Sequence, residues 1–277
     1  MQAKSLAKRF EPCSRWRVRV TILGSGSEGN ALLLESGTTS VLVDAGLSYR
    51  KLVQRFDAIG RDIPPEVAAV LVTHSHSDHG AHASTYATRL GCPVRATEVA
   101  MGGLRLRQSA TRETFAVGRS LRIGDIAIRS CAIPHDAPQV ALVFETEETM
   151  LGLVTDLGHV PKGLGRFLDG CETILLESNH DPDMLATGPY PASLKRRVGG
   201  SLGHLSNAQA GDLLATIDHA PREVVLMHLS ETNNSPQLAR CSAEAALGHR
   251  GTKLQIAKQR QPLELGTVRE RQLQLSL

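Results

Sequence analysis

Aromatic residues are scarce in this 277-residue chain, with one Trp, three Tyr and five Phe making up 3% of it. The core must therefore be built from Leu, Val, Ile and Ala. The scarcity also argues against a surface that binds single strands by stacking bases on aromatic platforms. The five cysteines (Cys13, Cys92, Cys131, Cys171 and Cys241) are odd in number and contain no C-x-x-C. They do not make a disulfide framework, and a reducing cytoplasm is the expected compartment. No apolar run approaches the roughly 18–20 residues that span a bilayer, so no membrane partner is expected. The basic N-terminus lacks the apolar stretch of a secretory signal. Residues 1–16 are expected to be a flexible extension and 17–277 a single domain. Net charge is only +3, too small to identify a nucleic-acid partner by itself. Nothing in the sequence points to a protein partner.

The composition that is present, 41% hydrophobic and 21% charged, is that of a chain with a real core. Charge is unevenly placed: no Asp or Glu occurs between Met184 and Gly211, while Lys195, Arg196 and Arg197 sit together. A solvated helix face is the ordinary explanation of such a triplet. Short strands are read at Val18–Leu23, Ala31–Glu35 and Ser40–Asp44, followed by a helix over Tyr49–Ile59. Val67–Thr73 is a continuous apolar run, as in a strand buried on both faces. Helices are expected at His82–Leu90 and Glu98–Arg107, with a strand at Pro93–Ala96 between them. Four strands then follow at Ser120–Ile123, Ile126–Ile133, Val140–Glu145 and Met150–Thr155. The remainder reads as helix Pro161–Leu168, strand Thr173–Glu177, helices Ala192–Val198 and Asn207–Asp218, strand Glu223–His228, helix Pro236–Leu247 and two weak strands. No internal repeat or linker interrupts this order, which predicts sheets covered by helices.

Chemistry is concentrated in Thr73-His74-Ser75-His76-Ser77-Asp78-His79. Alternate residues of an extended segment project to one side, so His74, His76 and Asp78 can converge without long-range folding. His79, at the turn into the next helix, can address a second point. A lone buried His is usually a satisfied core residue. Three His and one Asp in six residues would need several partners each, at roughly a few kcal/mol per unsatisfied group. Imidazole and carboxylate are ligands that zinc, manganese and iron accept. Three more polar residues end apolar runs: His135 after Ile133-Pro134, Asp156 in GLVTD and His228 in VVLMH. Five His and two Asp are enough for two divalent metal ions sharing a carboxylate.

The pattern H-x-H-x-D-H, then a distant His, an Asp and a final His, resembles the metallo-β-lactamase superfamily. Asp44 in VLVD matches its first motif. GSGSEGN, PHDA, TDLG, SNHD, YPASLKRRV, GHLSN and HLSETNNSP narrow the resemblance to the YycJ/WalJ-type exonuclease branch, from about Val20 to Pro236. Ser75 departs from the Glu often found there. The resemblance implies an α/β fold, the four-layer αββα sandwich. It implies that His74, His76 and His135 hold one metal, that Asp78, His79 and His228 hold the other, and that Asp156 bridges. It also implies 5′-to-3′ digestion of double-stranded DNA. A water shared by two cations ionises near neutral pH, its pKa falling from about 15.7 to about 7 on zinc, and the hydroxide attacks phosphorus. Asp78 and Asp156 are expected to orient that hydroxide or take its proton, and His204 to contact the phosphate or the leaving group. Asp44, Asn179, His180 and the Asn233–Asn234 pair are expected to brace ligands from behind.

Ser25 and Ser27 of GSGSEGN suit a phosphate, although a plain glycine-rich hairpin turn explains the loop equally well. Together with Lys195, Arg196 and Arg197 they form the expected nucleic-acid contact, DNA being the expected substrate. The alternative is a binuclear hydrolase of a small thioester, lactone or amide, since one ligand set serves many substrates. A non-catalytic relative would be expected to have lost ligands, and none is missing here.

Overall fold

The computed structural model describes residues 18–267; the expected extension 1–16, with Cys13, lies outside the described residues. In chain order the first half contains β1 (Val18–Gly24), β2 (Ala31–Ser36), β3 (Thr39–Val43), α1 (Tyr49–Ala58), β4 (Ala69–Leu71), α2 (Ser77–Gly80), α3 (Ala83–Leu90), β5 (Val94–Thr97), α4 (Glu98–Gly103) and β6 (Arg112–Phe115). The second half contains β7 (Leu121–Ile123), β8 (Ile126–Ile133), β9 (Gln139–Glu145), β10 (Met150–Val154), α5 (Leu164–Leu168), β11 (Thr173–Glu177), α6 (Pro182–Thr187), α7 (Ala192–Val198), α8 (Asn207–Ala215), β12 (Glu223–Met227), α9 (Pro236–Leu247), β13 (Lys253–Ile256) and β14 (Leu263–Thr267).

Because side chains alternate across a strand, a strand covered on both faces feeds two cores at once. Leu32 and Leu34 of β2, Leu142 and Phe144 of β9, and Val225 and Met227 of β12 meet in a core between the sheets. Their neighbours Ala31 and Leu33 pack outward with Leu52 and Phe56 of α1 and Tyr86 of α3. Ala141, Val143, Val224 and Leu226 pack outward with Leu213 and Leu214 of α8 and Ala239 and Ala243 of α9. Three cores in series separate four layers, helix–sheet–sheet–helix. The sheets run β14-β1-β2-β3-β4-β5-β6 and β13-β12-β11-β10-β9-β8-β7. Among the described residues no helix is long and apolar enough to cross a membrane.

Helix ends follow local chemistry. The Ser48 side chain accepts from the Lys51 N–H to start α1, and Ser206 with Gln209 forms a reciprocal capping box on α8. Some boundaries differ from those expected. The helix expected over Glu98–Arg107 stops at Gly103, after a Gly-Gly pair. The one expected over Pro161–Leu168 begins only at Leu164, and the one expected over Asn207–Asp218 ends at Ala215. Ladder pairing in the Val67–Thr73 run covers only Ala69–Leu71, although Ala69 through His74 are all buried.

Strand direction positions the site. β3 pairs parallel with β4, and β10, β11 and β12 pair parallel with one another. Their C-terminal ends therefore face the same way, and the polar residues that follow them gather at one edge.

Candidate metal centre

Asp44 follows β3, Asp156 follows β10 by one residue, and His228 follows β12. All three adopt left-handed backbone, with φ of 61°, 52° and 54°. This costs a non-glycine residue about 1–3 kcal/mol and is retained where surrounding structure over-determines it. The bend frees each side chain from strand alternation and turns it toward the edge. Gly46 has the complementary role: a Cβ there would fall on the Asp78 carbonyl, so only glycine lets this segment pass the H-x-H-x-D-H turn.

Four of the ligand imidazoles, His74, His79, His135 and His228, share one arrangement, each anchored through one ring nitrogen and presenting the other. Nδ1 of His74 meets the Thr73 hydroxyl at 3.2 Å, and that hydroxyl and the Thr73 N–H are held in turn by Asp44. His79 Nδ1 donates to Asp44 Oδ2 at 2.7 Å. His135 Nδ1 donates to the Gly203 carbonyl at 3.0 Å. His228 Nδ1 lies 3.2 Å from Glu177 Oε1. Such outer contacts fix the ring orientation of a metal-binding histidine.

The ligand-type atoms fall into two main groups, His74 with His76 and His135, and Asp78 with His79, Asp156 and His228, and a third, Asp156 with Glu177, His204 and His228, overlaps the second. Nε2 of His74 and Nε2 of His228 are buried without a hydrogen-bond partner, a costly state unless a cation completes them. Ligand atoms about 2.0–2.1 Å from a tetrahedral cation stand about 3.3 Å apart. His76 Nδ1 and His135 Nε2 are separated by 3.2 Å. Asp78 Oδ2 lies 3.6 Å from His79 Nε2 and 3.5 Å from His228 Nε2. Asp156 Oδ2 reaches His79 Nε2 at 2.8 Å. The donor set fits divalent metal ions.

Charge points the same way. Burial alone would favour a neutral Asp156, yet the His228 and His79 charges hold its carboxyl well below the usual range. Burial pulls His79 down, but Asp156 and Asp44 outweigh it and raise its pKa well above the usual value. The same opposition pushes His228 up to about 10. His74 goes the other way, since burial and the His79 charge both lower it. Buried carboxylates here remain anionic and attract positive charge, whether protons or metal.

Sequence reasoning missed Glu177. It is fully buried, its Oε2 accepting from the Leu157 and Leu205 N–H groups at 2.8 and 3.1 Å. Its Oε1 lies 2.7 Å from His204 Nδ1. Burial, the largest influence, raises its pKa, but the His204 charge and hydrogen bond lower it to about 2. His204 is in turn raised, the pull of Glu177 and Asp156 exceeding burial. The signal was available: Glu177 is a polar residue ending an apolar run, as Asp156 and His228 nearly are. Asn30 was also missed; its Nδ2 approaches His79 Nε2 at 2.8 Å and donates to the Gly26 and Asp78 carbonyls.

The expected bracing residues are distributed as follows. Asn179 Nδ2 donates to the His228 carbonyl, and Asn234 Nδ2 to the Ser178 and Asn179 carbonyls. His180 is buried and acts through its main chain, in a bridge to Ser206, with its Nδ1 unpartnered. Above the metal groups lies a cleft of about 330 Å³, lined among others by Ser27, Asp78, Tyr190, Arg197 and His204. Of the expected nucleic-acid contacts, Ser27 and Arg197 reach this cleft. Ser25 instead lies buried behind it and accepts from the His228 N–H at 2.8 Å. Lys195 donates to the Ala186 carbonyl, and Arg196 is exposed on the same helix. Ser75 packs against Gly103.

Comparison with known proteins agrees with this geometry. Residues 39–229 match the family model of the beta-lactamase superfamily domain. The chain is 33% identical to exodeoxyribonuclease WalJ of Streptococcus pneumoniae over 244 residues, covering 83% of this chain and 90% of that protein. It is 34% identical to exodeoxyribonuclease YycJ of Bacillus anthracis over 237 residues, covering 83% and 89%. The metallo-β-lactamase-fold protein YhfI of Bacillus subtilis superposes with a TM-score of 0.67 at 19% identity, covering 89% of this chain and 99% of YhfI. With its four layers, its clusters of metal-fitting side chains and these relatives, the chain is a metal-dependent hydrolase belonging to the WalJ/YycJ branch of the metallo-β-lactamase superfamily.

Proposed function

We propose that the chain binds two divalent metal ions, zinc, manganese or iron, and digests double-stranded DNA as a 5′-to-3′ exonuclease. The observation that carries this reading is His204, set at the side of a cleft that the two ligand groups also line. Its Nδ1 donates to a buried carboxylate, its pKa is raised, and Nε2 is left for the cleft. A charged imidazole so placed can give a proton to the leaving sugar oxygen, a step worth typically 10²–10⁴ in rate. Bound metals would supply a water that ionises near neutral pH and positive charge on the phosphoryl oxygens. Asp78 and Asp156 both line the cleft and can orient the attacking water or accept its proton. Ser27 and Arg197, which line the cleft, would contact the phosphate backbone, with Lys195 and Arg196 adding charge along the same helix. The names of WalJ and YycJ support exonuclease action on DNA.

The test is metal-loaded protein with end-labelled duplex DNA, beside Asp78→Ala. Stepwise loss from 5′ ends, absent in the variant, supports the reading, and loss from 3′ ends overturns its polarity. No cleavage with two metals bound rejects the nuclease and leaves a carbonyl hydrolase.

A further inference from the structure

His76 differs from the other imidazoles of the centre in how it is anchored. Its Nδ1 faces His135 Nε2, and its Nε2 lies 3.2 Å from Oδ1 of Asp136. Asp136 follows the ligand His135 directly in the chain, yet its own carboxylate stands outside the group formed by His74, His76 and His135. Its second oxygen, Oδ2, accepts from Arg197 Nε at 2.7 Å. Arg197 belongs to α7, a short helix in the acid-free segment, and its side chain is 62% exposed at the cleft. Asp136 is its one ion-pair partner among the described residues.

We infer that Asp136 is a positioning residue that joins the basic wall of the cleft to the first metal subsite. Three links carry this. A carboxylate oxygen 3.2 Å from His76 Nε2 favours the tautomer with the proton on that nitrogen and Nδ1 free to bind a cation, and the same oxygen lies 3.3 Å from His135 Nε2. Asp136 is only partly buried, so it needs a partner to hold one rotamer, and Arg197 supplies it through Nε with a charge-assisted bond. Engaging Nε also fixes the guanidinium plane, so its terminal nitrogens keep a constant aspect toward the cleft, where a phosphate can be gripped by two of them. A substrate anion on Arg197 and a cation on His76 are then coupled through one carboxylate. The cleft-side half of this inference rests on the phosphodiesterase reading; the metal-side half does not.

The experiment is a titration of metal-free protein with Co²⁺ and Zn²⁺ against a competing chelator, without substrate. Asp136→Ala is expected to weaken one of two sites by about 10–100-fold and leave the other unchanged. Arg197→Ala is expected to weaken the same site by less. The double variant should match Asp136→Ala alone, because Arg197 acts through Asp136. Asp136→Asn, which keeps volume and one acceptor oxygen, should fall between wild type and alanine, and equal melting points of the metal-free proteins would exclude misfolding. Two sites of wild-type affinity in Asp136→Ala would overturn the inference, and so would additive losses in the double variant. The readout needs no turnover, so it stands even if no DNA is cleaved.

Discussion

Glu177→Gln is the most informative single substitution in this molecule. The side chain accepts two main-chain N–H groups on Oε2 and faces two imidazole Nδ1 atoms with Oε1. Glutamine has the same shape but one acceptor oxygen, so its amide must choose. Turning NH₂ toward Leu157 and Leu205 would strand two buried N–H groups, at about 1–3 kcal/mol each. The oxygen therefore takes that side and the NH₂ faces His204 and His228. Both rings must then give up the Nδ1 proton. For His228 this moves the proton to Nε2, the atom presented to the metal group, and affinity there should fall by about 10–100-fold. For His204 it removes the carboxylate that raises its pKa, so the charged acid is lost at lower pH.

The assay is the pH profile of turnover at saturating metal, for wild type and variant. A raised pKa keeps His204 protonated to higher pH than an ordinary imidazole and costs activity only as pH rises through it, so the wild-type alkaline limb reports this group. In Glu177→Gln that limb should move to lower pH and turnover should fall by about 10²-fold or more. Stability adds a second check with opposite sign. Glu177 titrates at about 2 rather than 4.5 in the metal-free protein. Its contribution is therefore present above pH 4.5 and lost as pH falls toward 2, and the variant's acid melting curve should be flatter there. Turnover within about threefold of wild type, with the alkaline limb unmoved, would refute this account.

Removing metal with a chelator should destabilise the protein, because Nε2 of His74 and of His228 is then left buried and unpartnered. Metal at 100 times its Kd contributes about 2.7 kcal/mol per site, roughly 5–10 °C in melting temperature for a chain of this size, and an unchanged melting point would argue against resident ions. Gly46→Ala should cost about 3 kcal/mol or more and weaken the Asp78-containing metal group, since its Cβ would fall on the Asp78 carbonyl; denaturant melts and metal content check both. Burial pushes Cys92 and Cys131 up to about 11 and Cys171 to about 12, while Cys241 is exposed. In a Cys13→Ser background, Ellman's reagent at pH 8 should therefore titrate one thiol quickly, and several fast thiols would contradict the buried placement.

Most of the layering was legible because both faces of the central strands are covered. Runs such as Val224–Met227 are apolar throughout, and their ends are marked by the first polar residue. The His74–His79 cluster was legible because its convergence is local. What escaped depends on partners remote in sequence. Glu177 ends an ordinary strand until His204 and His228 approach it from 27 and 51 residues away. Asp136 is overshadowed by His135 and meets Arg197 only 61 residues later. β6 was missed because it is a half-exposed edge strand with a polar sequence, Arg112–Phe115. α6 was missed although Asp181 and Pro182 form a standard start signal, an acceptor side chain followed by proline. Ser25, read as a ligand-facing hydroxyl, is turned inward because the His228 N–H, exposed by the left-handed bend, needs an acceptor.

That bend connects fold to chemistry. Asp44 comes from one sheet, Asp156 and His228 from the other, and each leaves its strand in the left-handed region. A strand that simply continued would send alternate side chains into the core and away from it, and neither direction reaches a site at the sheet edge. The local cost, about 1–3 kcal/mol at each position, is offset by packing on both sides of the preceding strand and by the contacts each residue makes afterward. Asp44 holds Thr73 and His79, Asp156 accepts from Thr155 and contacts His79, and His228 is held by Ser25 and Asn179. Side chains fixed in this way have little freedom left to lose when a cation arrives, so the rigid sheets, more than any flexible loop, set the spacing of the two metal groups.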